Sequence, residues 1–267
     1  MNISLDIDAK KADLERDGFC VYEESIIPES LLSKALLHTE HIIAGVYNTG
    51  RPPSAINAKE GNFTTLQQIF NPHISDYTLF ELVTFPKLLQ LVANILACDK
   101  LQLIGSQLFI KPGFGAPEAE TPWHSEYEQI PCFDGGSYSI WLPLTPVDEA
   151  SGTLWYIPGS HKPTSGITKP RSRFQQEGFH QELDYIRRTS ETEVSAIPIH
   201  LPAGGISLHH GLTLHGSGVN HASFTRFGIS IGVATEHFRI NSHIPCGSFI
   251  EQLKDPQIAP VVFERTM

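Results

Sequence analysis

The sequence predicts an α+β protein, mainly β, in which a sandwich or jelly roll is backed by N-terminal helices. Three observations carry that expectation. Helical spacing of apolar residues is concentrated before Leu101, short β-prone runs bounded by Gly and Pro dominate after it, and no repeat or linker-like stretch separates the two halves. The 267 residues are 40% hydrophobic and 18% charged. That is enough to bury a core without a disulfide or structural metal, and it fits neither a disordered chain nor a membrane span.

Taken in order, Asp8 to Asp17 reads as a charged helix that Gly18 ends, ahead of the strand Phe19-Cys20-Val21-Tyr22. Pro28-Glu29-Ser30 opens a helix over Leu31 to Ala44, where Leu31, Ala35, Leu36, His38, Ile42 and Ile43 approximate the helical period and Gly45 follows. Tyr47 to Asn62 shows no period and reads as a loop, either lying over a site or a plain surface loop. Leu79 to Phe85 and Lys87 to Leu96 are two helices parted by Pro86, the second with Leu88, Leu91, Val92 and Ile95 on one face. The expected strands are Leu101 to Lys111, Tyr138 to Leu144, Thr153 to Ile157, Gly205 to His209 and Arg226 to Ala234. Thr164 to Glu193 is polar, interrupts the strands, and reads as a lid or partly mobile insertion.

Nineteen Lys and Arg against 29 Asp and Glu give a net charge of −10, the wrong sign for a nucleic-acid partner. No membrane partner is expected either. Arg171, Arg173, Arg187 and Arg188 lie close in sequence and keep an anionic small molecule possible, although such a group is more often a solvated face. The four cysteines, Cys20, Cys98, Cys132 and Cys246, show no Cys-x-x-Cys spacing and read as isolated thiols. The N-terminal MNISLDIDAKKADLERDG has no basic region followed by an apolar run, so a cytoplasmic, reducing location is expected.

Two clusters carry chemistry. In Trp123-His124-Ser125-Glu126, extended chain would point His124 and Glu126 to one face. The His-rich stretch His209-His210-Gly211-Leu212-Thr213-Leu214-His215-Gly216-Ser217-Gly218 can add a third nitrogen ligand, and strand alternation lets only one of His209 and His210 share the face of His215. Two His and one carboxylate on one face of a metal leave positions open for substrate and oxygen, the arrangement of non-haem Fe(II) oxygenases.

The collinear series Trp123-His124-Ser125-Glu126, Ser139-Ile140-Trp141-Leu142-Pro143-Leu144, Gly152-Thr153-Leu154-Trp155-Tyr156-Ile157-Pro158-Gly159-Ser160-His161-Lys162, and Leu208 to Asn220 with Arg226 resembles the phytanoyl-CoA dioxygenase (PhyH) family of Fe(II)- and 2-oxoglutarate-dependent oxygenases. The likeness runs from Asp17-Gly18-Phe19 to Ala234. It implies a double-stranded β-helix, a jelly roll of the cupin type, with N-terminal helices packed on one sheet. One domain over 1–267 follows, with 1–100 as helix-rich support and 101–240 as the core carrying the 164–193 insertion. The resemblance also implies that His124, Glu126 and His215 hold Fe(II). Arg226 then pairs with the distal carboxylate of 2-oxoglutarate, as a guanidinium fork suits a carboxylate, and Ser217, Trp141 and Gln107 help hold the same cosubstrate. His161 is structural in the family.

One residue departs from the pattern: the acid is Glu126 where the family usually has Asp. The longer side chain must fold back or shift the strand, but keeps its charge and oxygen donor. It also occupies the position that related halogenases open to a halide, which favours hydroxylation. The implied reaction couples O2 and oxidative decarboxylation of 2-oxoglutarate to hydroxylation of an unactivated C–H bond in a small molecule, releasing succinate and CO2. Two other readings of the same residues stay open: a non-catalytic metal-binding or sensory protein on this fold, and a cupin-type metal hydrolase that needs no 2-oxoglutarate. Substrate identity and oligomeric state are not written in the sequence, and the pocket walls are expected from Tyr47 to Asn62 and Thr164 to Glu193.

Overall fold

Gly18 turns the chain from its first helix into its first strand at φ +84°, where a side chain would collide with His161 and Thr213. A computed structural model describes residues 3–265 apart from 60, 63, 117, 173, 174 and 248, with side chains from residue 7. Helix α1 (Ile3–Asp17) leads into β1 (Phe19–Tyr22), and α2 (Glu29–Ile43) follows Pro28. Two short strands, β2 (Ala55–Asn57) and β3 (Gln67–Phe70), precede α3 (Tyr77–Val83) and α4 (Pro86–Leu96). Asp76 caps α3 by accepting from the Thr78 and Leu79 N–H groups, and Pro86 opens α4 where its missing N–H costs nothing. The span Tyr77–Leu96 is long and apolar enough to cross a membrane by composition. It is nevertheless two helices broken before Pro86, with Leu79, Leu82, Leu88, Leu89 and Val92 buried in the core.

The remaining elements are β4 (Lys100–Lys111), β5 (Thr121–His124), α5 (Glu126–Gln129), β6 (Ser137–Pro143), β7 (Trp155–Tyr156), α6 (Phe179–Thr189), β8 (Ile197–Pro198), β9 (Ile206–His210), β10 (His215–Ser217), β11 (Arg226–Thr235), α7 (Phe249–Lys254) and β12 (Val261–Glu264). They make an eight-stranded sheet in the order β1-β9-β6-β11-β4-β3-β2, with β12 also on β4, and a four-stranded sheet β5-β10-β7-β8. The named strand pairs are all antiparallel.

Period-two alternation decides which way the large sheet faces. Leu108 and Ile110, Ile140 and Leu142, Ile206 and Leu208, and Ile229 and Ile231 pack with α2, α3 and α4 in one core. Their neighbours Gln107, Phe109, Ser139, Trp141, His209 and Ser230 line a cavity on the other side. A second cluster ties the sheets together through Phe19, Trp141 and Tyr156, with the Phe19 and Tyr156 rings stacked at 4.4 Å.

Several expectations change here. Glu126 is the first residue of α5, with Ser125 as its N-cap, so it does not share a strand face with His124. Thr164 to Glu193 is not unstructured: it holds α6, whose Phe179, Leu183 and Ile186 form a small core with Trp123 and Leu214. Tyr47 to Asn62 contains β2 and, among the described residues, contributes none to the cavity wall; Leu66, Gln68, Phe70 and Asn71 stand there instead. The sheet reaches outside 101–240, taking β1, β2, β3 and β12. Cys132 and Cys246 are paired in a disulfide across 114 residues, whereas Cys20 and Cys98 are free and buried. Spacing rules find metal and redox motifs and are blind to a pair this distant.

Candidate active site

The cavity between the sheets is about 970 Å³ and is walled by residues of β3, β4, β5, β6, β9, β10 and β11, with Lys169 to Ser172 and Gln176 from the insertion and Phe249 and Gln252 from α7. Its two ends carry opposite chemistry.

At one end, four side chains meet. His215 on β10 lies opposite His124 on β5 in register, and their rings are 4.2 Å apart. Each imidazole is turned by its own chain: the His124 Nδ1–H donates to the Pro122 carbonyl at 2.6 Å and the His215 Nδ1–H to the Thr213 carbonyl at 3.0 Å. Both bonds leave Nε2 unprotonated, the tautomer a metal requires. Glu126 comes off the end of β5 because Ser125 starts a short helix there, and Glu128 steadies that turn by accepting from the Ser125 N–H at 3.0 Å. Its Oε1 accepts from Ser139 on β6 at 2.9 Å and lies 3.9 Å from His215 Nε2. His209 on β9, 2% exposed, sets its Nε2 3.6 Å from the same oxygen.

The ligand atoms of Glu126, His209 and His215 lie within 4.8 Å of one another, a group able to hold a metal ion. Thus Glu126 and His215 converge as expected and His124 stands beside His215, while His209 is a fourth member. His209 was legible as one of an adjacent pair, but only the strand register, which sets it opposite Ser139, selects it over His210. His210 packs instead against Tyr138 and Tyr127. Burial would raise the Glu126 carboxyl, yet the neighbouring His209, His215 and His124 together hold it well below the usual range. Burial, then the fields of His124 and His209, keeps His215 well below its ordinary value and therefore neutral. One carboxylate and convergent imidazole nitrogens form a donor set suited to a divalent transition metal.

At the other end Arg226 lines the cavity, and a second buried basic side chain, Lys111, lies beyond Ser217. Arg226 on β11 is 2% exposed and Lys111 on β4 is fully buried. Arg226 donates to the Gly152 carbonyl at 2.8 Å, and its Nε, also buried, has no partner. The Lys111 ammonium donates to Ser217 Oγ at 2.5 Å and to the Gly218 carbonyl at 2.6 Å. Among the described residues neither cation has a carboxylate within ion-pair distance, and an unpaired buried charge costs several kcal/mol. Burial pushes Arg226 down to about 9 and, with the field of Arg226, takes Lys111 well below the lysine range.

The other predicted cosubstrate residues fall around this pair. Ser217 is fully buried, accepts from Lys111, and lies 3.3 Å from an Arg226 nitrogen. Trp141 spreads its ring under the guanidinium at 4.9 Å, a position that requires Gly228, because a Cβ there would penetrate the indole. Gln107 lies on the cavity wall opposite Ser230. Lys111 was missed: it closes a strand as an ordinary Lys, and only burial distinguishes it. His161 packs on Gly18 and His210, away from the donor cluster. Arg171 is committed to Glu182, with Nε to Oε2 at 2.9 Å, Arg187 pairs with Asp184 on the α6 surface, and Arg173 lies outside the described residues.

Comparison with known proteins agrees with this geometry. The chain is 27% identical over 218 residues to a probable alpha-ketoglutarate-dependent hypophosphite dioxygenase of Stutzerimonas stutzeri, covering 79% of this chain and 73% of the relative. It is 27% identical over 240 residues to the ectoine dioxygenase of Bordetella parapertussis, covering 83% and 74%. Among solved structures, EctD from S. alaskensis with 2-oxoglutarate and 5-hydroxyectoine superposes with a TM-score of 0.66 at 20% identity, over 91% of this chain and 82% of that one. The epimerase SnoN with Fe3+, alpha ketoglutarate and nogalamycin RO gives 0.66 at 18% identity, over 91% and 88%. These two likenesses concern the fold, a sheet-rich α+β architecture. The family model for phytanoyl-CoA dioxygenase (PhyH) matches residues 14–228, and with that match over most of its length the chain belongs to the phytanoyl-CoA dioxygenase family.

Proposed function

We propose that this protein is an Fe(II)- and 2-oxoglutarate-dependent dioxygenase that hydroxylates an unactivated C–H bond of a small molecule, on a double-stranded β-helix that forms one catalytic unit along the chain. The observation that carries the reading is the pairing, on one cavity, of a carboxylate–imidazole cluster with the buried guanidinium of Arg226, which has no carboxylate partner among the described residues. A divalent metal fits the first and a dicarboxylate the second. When bound, Fe(II) and 2-oxoglutarate together supply activation of O2 coupled to oxidative decarboxylation, which releases succinate and CO2.

The chain's own residues do the rest. His124, Glu126 and His215 hold the metal, their orientation fixed by the Pro122 and Thr213 carbonyls and by Ser139. Arg226 grips the distal carboxylate of the cosubstrate, Trp141 and Gln107 flank it, and Ser217 orients Arg226 and Lys111 from behind. Phe109, Phe133 and Phe249 present apolar surface and Gln68, Gln107 and Gln129 present amides to the substrate. The cation pair favours this reading over a hydrolase or sensory protein, neither of which uses a buried, unneutralised Arg.

Incubating the purified protein in air with Fe(II) and 2-oxoglutarate and measuring succinate tests the proposal. Succinate release that requires both additions and is lost in His215→Ala supports it. Release that ignores Fe(II), or a metal-bound protein that forms none with candidate substrates of the relatives' classes, counts against it.

A further inference from the structure

The family's acid is one methylene shorter than Glu126, and the structure holds a group that accounts for the difference. His209 is buried, and its Nε2 has no hydrogen-bond partner. Its Nδ1 lies 2.9 Å from the Tyr156 hydroxyl, which is also 2.9 Å from Ser207 Oγ. A phenol has one proton and is a better donor than a serine hydroxyl, and an imidazole nitrogen is a better acceptor than a hydroxyl oxygen, so Tyr156 donates to His209 Nδ1. The His209 proton therefore sits on Nε2. That N–H faces Glu126 Oε1 at 3.6 Å, a few tenths beyond hydrogen-bond length and within reach of a small rotation of the flexible Glu side chain. Ser139, opposite His209 in the sheet register, already donates to the same oxygen at 2.9 Å.

We propose that His209 is a positioning residue: with Ser139 it clamps Glu126 Oε1, folding the longer acid back towards His215 so that the carboxylate serves the metal. The inference rests on the reading of Glu126 as a metal ligand. A protonated Nε2 cannot itself ligate, so the Tyr156–His209 pair is a donor to the acid and not a fourth ligand, although the His209 ring lies 4.4 Å from that of His215, tilted by 50°.

Anaerobic titration with Co(II), followed by its visible ligand-field spectrum, tests this in wild type, His209→Phe, Glu126→Asp and the double variant. His209→Phe should bind Co(II) about 10- to 100-fold more weakly and reach the wild-type spectrum at saturation. In the Glu126→Asp background the same change should cost less than about 3-fold, because the shorter acid needs no clamp. His209→Gln, which keeps an N–H donor, should stay near wild type and serves if the Phe variant folds poorly. Wild-type affinity in His209→Phe, an equal loss in both backgrounds, or a Gln variant as weak as Phe overturns the clamp. A saturated spectrum of lower coordination number in His209→Phe would make His209 a ligand and overturn it too. If wild type itself binds no Co(II), it is the reading of the site that fails.

Discussion

The two ends of the cavity are built on opposite electrostatic terms. The His215 end gathers one carboxylate among three imidazoles, and its polar atoms are oriented by carbonyls and hydroxyls close in sequence or register. The Arg226 end gathers two buried basic side chains, Arg226 on the cavity wall and Lys111 beyond Ser217, hydrogen-bonded to neutral oxygens. Neither arrangement is favourable alone, because convergent lone pairs and unneutralised buried charge both cost free energy. Together they specify what must lie between them: a cation against the donors and an anion against the cations. The cavity is thus a pair of half-satisfied sites facing one volume, and the mutants below separate the halves.

The largest effect is expected at the anion end. Arg226→Ala leaves a carboxylate without its buried partner, a loss of about 3–5 kcal/mol, so 2-oxoglutarate affinity should fall about 10²- to 10³-fold while metal binding persists. Isothermal titration with each component reads both. If metal affinity falls equally, the two ends are not independent. Next comes Phe179→Ala, which removes the ring stacked 5.0 Å from Trp123 beside His124. Emptying that core should cost about 3–5 kcal/mol in urea unfolding. It should also weaken metal binding more than 2-oxoglutarate binding, since α6 packs against β5, the strand that carries His124.

Acid is a probe that acts away from both ends. His73 is 1% exposed, bonded to Ser106 and to the Ile258 carbonyl, and burial pushes it down to about 4 despite backbone hydrogen bonds that oppose the shift. The unfolded chain binds this proton near pH 6.5 and the folded chain only near 4. Stability present above pH 6.5 is therefore lost as pH falls towards 4, by roughly 3 kcal/mol. Unfolding free energies measured across that window should flatten in His73→Gln. An unchanged slope would place the acid sensitivity elsewhere. The smallest effect belongs to Lys111→Met. It should weaken 2-oxoglutarate by less than about 10-fold, because Lys111 acts through Ser217 beside Arg226 and not from the cavity wall, and leave the ligand-free protein at least as stable, because burial already disfavours the charged amine. A destabilised ligand-free variant would mean that Lys111 serves the fold first.

The large sheet was legible because its long strands keep period-two patterning: Ile140 and Leu142 face the helices while Ser139 and Trp141 face the cavity. The small sheet was legible only at β7, which lies inside the expected strand Thr153 to Ile157, because β5, β8 and β10 have two to four residues each, too few to show a period. Helix α6 hid in a polar insertion since three apolar residues, Phe179, Leu183 and Ile186, suffice to seat it. In the site, His124, Glu126, His215 and Arg226 were singled out from motif order and all four line one cavity, but the strand-face argument that joined His124 to Glu126 was mistaken, for a helix cap joins them. Lys111 and His209 become visible only once β4 and β9 are placed in the sheet, because what marks them is burial and register.

The most direct test of a two-ended site is anaerobic titration of the protein with Fe(II) and then 2-oxoglutarate, following the weak visible charge-transfer band of the chelate at a two-His, one-carboxylate centre. The expected result is a band in wild type that is absent from both His215→Ala and Arg226→Ala at matched concentrations. Wild-type protein that binds iron and shows no band, or a band of full strength in Arg226→Ala, would contradict it.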